Sequence, residues 1–189
     1  MKEPKSLQDL YKMELADLYD AEQQIIKALP KMIDGATSEE LKDALNEHLD
    51  VTKEQASRLE QIFEQMGEKP KREKCKGMQG VITEGSDLLE EIKDDDLRDA
   101  AIISAAQRVE HYEMAGYGTA RTYAQLLGED QAAKLLQQTL DEEKEADQKL
   151  SDLAGELNAE AMNGEGGEQE EKPAASERTA GSKRRKSAA

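Results

Sequence analysis

The sequence predicts an all-α fold, a bundle of four long helices with a shorter one between the second and third and no sheet, over roughly residues 6 to 154. Three observations predict it. Apolar residues recur at three- and four-residue spacing through each long stretch, as one buried face of a helix requires. Aromatics make up only 3% of the chain, with no Trp and Phe63 alone, so Ala, Leu, Ile and Met fill the apolar positions, the composition of packed helices. Capping residues open these stretches and Gly or Pro closes most of them.

The first helix begins after Ser6, whose hydroxyl can cap with Asp9 three residues on, and runs through Leu7, Leu10, Leu15, Leu18, Ile25, Ile26 and Leu29. Pro30 and Gly35 mark its kink and its end. A capping box, Thr37-x-x-Glu40, starts the second helix, which carries Leu41, Leu45, Leu49, Leu59, Ile62, Phe63 and Met66 before Gly67 and Pro70 close it. The short turn between them makes an antiparallel pair. A basic connection, Lys69 to Lys74, leads into the short helix around Met78, Val81, Ile82, Leu88, Leu89 and Ile92. Asp94, Asp95 and Asp96 place negative charge where the third long helix exposes its first amides, and that helix extends from Leu97 to about Leu127, before Gly128. The fourth carries Leu135, Leu136, Leu140, Leu150 and Leu153 and fades near Leu157. Pair, crossover, pair is the order of a ferritin-like four-helix bundle. The domain is placed at 6–154, with a low-complexity tail at 155–189. From Asn158 that tail has no apolar period and is expected to be disordered, ending in the basic quartet Lys183 to Lys186.

The formal net charge is −16, and the tail, with seven acids against six bases, leaves about −15 on the body, which argues against nucleic acid as a partner of the body. No stretch approaches the ~18 consecutive apolar residues of a spanning helix, so no membrane association is expected. Cys75 is alone and the N-terminus lacks the apolar run of a secretory signal, so a cytoplasmic location is expected. The lysines flanking Cys75 suggest an exposed thiol of lowered pKa.

Acids on the leucine stripes carry the functional signal, because an unpaired carboxylate in a dry core costs several kcal/mol. Glu22 shares the face of Leu18, Ile25 and Ile26, and ranks above Glu14 and Asp17, which also fit the stripe's flank. His48 follows Leu41 and Leu45 on the packed side of the second helix; Asp50 is its nearest acid, yet two residues apart on a helix lie ~200° apart and do not share a face. Glu110 and Glu113 stand one turn apart among Ile103, Ala106 and Tyr117, and Glu143 and Asp147 lie between Leu136, Leu140 and Leu150. Acids in such pairs repel unless a cation joins them. Together these residues approach the ligand inventory of a carboxylate-bridged dimetal site in a bundle core, suited to iron or manganese. The Glu-x-x-His signature of the standard site is absent, since Glu110 is followed directly by His111. The competing reading pairs the acids with Arg108, Lys144, Arg121 or Lys149 in salt bridges. Tyr19, Tyr112 and Tyr117 lie near the acids and can hydrogen-bond them. Gly116 and Gly118 inside the third long helix indicate a close helix approach, a bend or a dimer contact.

Six segments, Asp20-Ala21-Glu22-Gln23-Gln24, His48-Leu49-Asp50, Arg58-Leu59-Glu60, Arg108-Val109-Glu110-His111-Tyr112-Glu113, Gly116-Tyr117-Gly118-Thr119 and Thr139-Leu140-Asp141-Glu142-Glu143-Lys144, resemble the YciF/YciE stress-protein family over about residues 7 to 154. The resemblance implies a homodimeric ferritin-like bundle with a dimetal-type site and a role in bacterial stress responses. Carried over by position, Glu22, His48, Glu110, Glu113, Glu143 and Asp147 match the family pattern. Asp50 and Val51 depart from it, since some relatives carry Glu at each, which leaves the ligand from the second helix the least defined. The expectation is a protein holding two iron or manganese ions per chain and reacting with dioxygen or peroxide; the alternatives are a metal-free helical interaction protein and an oxygenase or catalase-like enzyme. The last would need an open pocket beside the metals.

Overall fold

A computed structural model describes residues 3–164, and every regular element among them is helical: α1 (Leu7–Gly35), α2 (Glu39–Gln65), α3 (Lys76–Glu91), α4 (Asp95–Leu127) and α5 (Asp130–Gly164). The basic quartet at 183–186 and the rest of the tail beyond Gly164 lie outside the described residues. Within each pair, α1 packs on α2 and α4 on α5, while α1 against α4 and α2 against α5 join the pairs. The crossover helix α3 lies on α4 and α1. No helix is long and apolar enough to cross a membrane.

The apolar stripes close into two clusters stacked along the bundle. One gathers Tyr11, Leu15, Leu18, Leu59, Phe63, Tyr117 and Leu136; the other gathers Ile25, Leu29, Leu41, Leu45, Ile102, Ile103 and Leu150. The inward acids interrupt each stripe at the level where one cluster gives way to the other, which confines them between two apolar plugs.

Local signals set most boundaries. Ser6 accepts from the Asp9 amide at the start of α1, Asp94 accepts from Leu97 at the start of α4, and Gly128 ends α4 in the left-handed conformation (φ 77°) that glycine adopts without strain. Pro30 lies inside α1, which continues to Gly35.

The start of α2 differs from the predicted capping box. Its cap is Ser38, whose hydroxyl accepts from the Leu41 amide. Thr37 instead gives its N–H and its hydroxyl to Asp99 of α4, at 2.8 and 2.7 Å, and the Ser38 amide donates to the same carboxylate at 2.7 Å. A buried carboxylate brought in by tertiary packing is a stronger acceptor than a local side chain.

The end of α5 also differs. The helix continues past Asn158 to Gly164 because Leu157 and Ala161 are buried, and a few well-spaced apolar contacts are enough to hold a helix whose other residues are polar.

Of the two glycines inside α4, Gly116 marks a close approach and Gly118 does not. A Cβ on Gly116 would stand 2.7 Å from Leu18 Cδ2 on α1, whereas one on Gly118 would meet nothing within 4 Å.

Candidate metal centre

Four carboxylates converge between the plugs. Glu22 from α1, Glu110 and Glu113 from α4 and Glu143 from α5 are each 0 or 1% exposed. The periodicity responsible is visible in each helix, where every one of them occupies a position that an apolar residue would otherwise fill. His48 of α2 joins them, its side chain 11% exposed and its Nε2 3.4 Å from Glu110 Oε1.

The potential ligand atoms form two triplets, His48, Glu110 and Glu113 in one and Glu22, Glu113 and Glu143 in the other, each within 4.8 Å of one another. Glu113 belongs to both. Each triplet could hold a metal ion, and the two have one carboxylate in common.

Hydrogen bonding leaves the centre unsatisfied. One oxygen each of Glu22 and Glu110, both oxygens of Glu113 and Glu143, and Nε2 of His48 are buried without a hydrogen-bond partner. Orphaned buried polar atoms are costly, and a group of them aimed at one another is stable only with a proton or a cation between them.

The electrostatics agree. Burial, then the charge of Glu143, raises the Glu22 carboxyl well above the ordinary range, and the same two causes act on Glu110. Glu113 is raised by burial and by Glu22 and Glu143. Glu143, buried and facing Glu142, is pushed up to about 7. Burial drives His48 down to about 4, so its contact with Glu110 joins a neutral imidazole, a competent nitrogen donor, rather than an ion pair.

The competing salt-bridge arrangement is not the one formed. Arg108 binds Ser104 on its own helix, Arg121 donates to Gln137, Lys144 pairs with Asp141 and Lys149 with Glu47. None of these four cations reaches the interior acids.

Two candidate ligands lie outside the triplets. Asp50, its side chain 79% exposed, points away from His48 and pairs with Lys53 at 2.8 Å, as their ~200° separation on α2 dictates. Asp147 stands at the rim, half-buried, accepting from Gln107 at 3.1 Å with His111 at 3.4 Å. Of the lower-ranked acids, Asp17 accepts from Tyr112 at 3.3 Å and Glu14 stays half-buried on the flank.

A supporting shell surrounds the cluster. The Tyr117 hydroxyl, fully buried, donates to Glu22 Oε1. Arg58 of α2, 8% exposed, reaches α5, donating to Thr139 at 3.1 Å and holding Glu142 in a two-pronged ion pair. Sequence reasoning passed over Arg58 and Glu142 as site residues. The signal for Arg58 was spacing: it stands three residues after Gln55 and four before Ile62, both buried, and so shares their face of α2. Tyr19 and Tyr112 bind elsewhere, Tyr19 to Glu60 and Tyr112 to Asp17 and Cys75.

Cys75 corrects the expectation of an exposed, activated thiol. It is 0% exposed, caps α3 by accepting from the Met78 amide, and is pushed up to about 11 chiefly by burial. The lysines beside it in sequence point to solvent.

The family model "Domain of unknown function (DUF892)" matches residues 6–163. Protein YciF of Escherichia coli strain K12 is 44% identical over 161 residues, covering 84% of this chain and 97% of that protein. The crystal structure of the E. coli stress protein YciF superposes with a TM-score of 0.80 at 43% identity, covering 82% of this chain and 99% of the other. YcfI from Rhodopseudomonas palustris, proposed to be a structural protein, gives 0.78 at 44% identity, covering 79% and 96%. A Xanthomonas campestris protein at 19% identity, with a TM-score of 0.67, shares the fold, covering 85% and 97%.

Proposed function

The chain belongs to the DUF892 family and is similar to the E. coli stress protein YciF, and from that membership, that similarity and the buried carboxylate cluster we propose a ferritin-like protein that binds two iron or manganese ions and serves a bacterial stress response. The observation that carries this reading is the pair of donor triplets sharing Glu113, with their buried oxygens otherwise unpartnered. Four carboxylates also balance the charge of two divalent cations, and oxygen donors with one imidazole suit iron or manganese.

Glu113 would bridge, with His48 and Glu110 completing one position and Glu22 and Glu143 the other. The Tyr117 hydroxyl fixes the orientation of Glu22, and the Arg58–Glu142 pair ties α2 to α5 beside the centre. The apolar clusters above and below the acids keep them 0 or 1% exposed, and low local polarity strengthens electrostatic contacts there. Bound ions would supply electron-transfer chemistry toward dioxygen or peroxide. A homodimer working in the cytoplasm is part of the same proposal; a dimer has no cage, so bulk iron storage is not.

Elemental analysis of protein purified without chelator tests this. Wild type is expected to hold about two ions per chain and a Glu110→Ala/Glu143→Ala double variant of unchanged helical circular dichroism close to none. Equally negligible metal in both after anaerobic Fe(II) or Mn(II) loading would sink the proposal. It would favour instead a metal-free structural or interaction protein, the reading that the role proposed for R. palustris YcfI supports.

A further inference from the structure

Two cavities meet at the candidate centre, and His48, Ala106 and Glu110 line both. The cavity of about 200 Å³ between α2, α4 and α5 has a charged mouth, with Glu47, Glu142, Glu145 and Lys149 around it. Such an entrance suits cations. The other, of about 160 Å³, lies between α1, α3 and α4; Ile25, Leu29, Val81, Ile82, Leu89 and Val109 make most of its wall, and Lys31 and Glu90 also line it. It exists because α3 packs loosely: Val81, Ile82 and Leu89 are only half-buried, so their side chains border a void instead of filling it.

An apolar cavity of roughly 150 Å³ is large enough for benzene. At the inner end of this one stand Glu110, 1% exposed with Oε2 unpartnered, and His48, with Nε2 unpartnered. A mostly hydrocarbon wall disfavours a charged molecule by desolvation, and two buried polar groups at the end, each with an unpartnered atom, reward one hydroxyl there, which can donate as well as accept.

We propose that this cavity binds a small uncharged organic molecule, hydrocarbon over most of its surface and carrying one hydroxyl-type donor, with the donor held at Glu110 and His48. The site stands on the cavity; the role of its occupant as the organic ligand of the metal centre rests on the dimetal reading.

Phenol is the probe, titrated calorimetrically against the full-length chain, with benzoate as the charged control. Saturable one-to-one phenol binding and none of benzoate is expected. Ala28→Phe, which fills the cavity from α1 without touching a candidate ligand, is expected to weaken phenol roughly tenfold or more. Leu89→Ala, which enlarges it from α3, is expected to improve binding of the larger 2-naphthol. No phenol binding to wild type, or binding indifferent to both variants, overturns the site.

Metal is followed separately. Glu113→Gln, outside the cavity lining, is expected to lose Mn(II) and keep phenol. In Mn(II)-loaded wild type, phenol is expected to change the Mn(II) paramagnetic resonance spectrum; an unchanged spectrum with phenol bound overturns the occupant's role at the metal centre. Phenol binding in a protein that never takes up metal overturns the dimetal reading and that role, and upholds the site. Metal uptake without phenol binding overturns the site alone.

Discussion

Glu22, Glu110, Glu113 and Glu143 set how the molecule responds to pH. Burial raises their carboxyl pKa values, to about 7 for Glu143, above the ~4.3 of an unfolded chain. Without metal, the folded state therefore keeps protons that the unfolded chain has released. The stability they contribute is full below ~4.3 and is lost as pH rises through the folded values. The metal-free protein is expected to melt at lower temperature near pH 8 than near pH 5, the reverse of the usual carboxylate trend. Ions need the ionised carboxylates, so the gap in melting temperature between Mn(II)-loaded and chelated protein should widen over the same range. Scanning calorimetry at the two pH values checks both; a metal-free melting point that rises with pH would mean the acids are neutralised some other way. Cys75 gives a second prediction at this scale. Buried and held up at about 11, it should resist an aromatic disulfide reagent in the native protein and react at once in denaturant.

Among the elements, the start of α2 depends on α4. Asp99, 3% exposed, accepts from two backbone amides and a hydroxyl at the α1–α2 turn. Asp99→Ala leaves those donors buried and should cost ~2 to 3 kcal/mol by urea unfolding. Thr37→Ala removes one hydrogen bond and should cost less, ~1 kcal/mol. The two glycines of α4 separate propensity from packing. Gly118→Ala meets open space and should stabilise by up to ~1 kcal/mol. Gly116→Ala has the same propensity gain but forces Leu18, itself 1% exposed, to move, so it should fall at least ~1 kcal/mol below Gly118→Ala. Equal effects would mean that the α1–α4 approach at Gly116 is slack.

For the whole molecule, the last two turns of α5 belong to the core. Leu157 and Ala161 are buried, Leu157 within the same cluster as Leu29 and Ile102. A chain ending at residue 154 should therefore be less stable than one ending at 164 by ~2 to 3 kcal/mol in urea unfolding. The stacking of two apolar clusters about a polar layer has a further consequence. The layer draws residues from α1, α2, α4 and α5 at once, so on the proposed dimetal reading metal binding would be coupled to assembly of the two helix pairs, and loading should raise the stability of the whole bundle rather than of one hairpin.

The helices, their order and the inward acids were legible in the sequence, because helical periodicity maps spacing onto faces: Glu22 among Leu18 and Ile25, or Glu110 and Glu113 between Ala106 and Tyr117, can point only where those neighbours point. Periodicity also flagged the conflict between His48 and Asp50 without resolving it. What spacing along one helix does not encode is the distance between helices. Only the tertiary structure decided that Glu113 lies within reach of both donor groups, that Arg58 belongs to Glu142, that Asp99 rather than a local capping box serves the α2 terminus, and that Cys75 is sealed behind Tyr112. Those contacts join residues far apart in the chain, 37 positions for Cys75 and Tyr112, 62 for Thr37 and Asp99 and 84 for Arg58 and Glu142, which the pattern of any single segment does not contain.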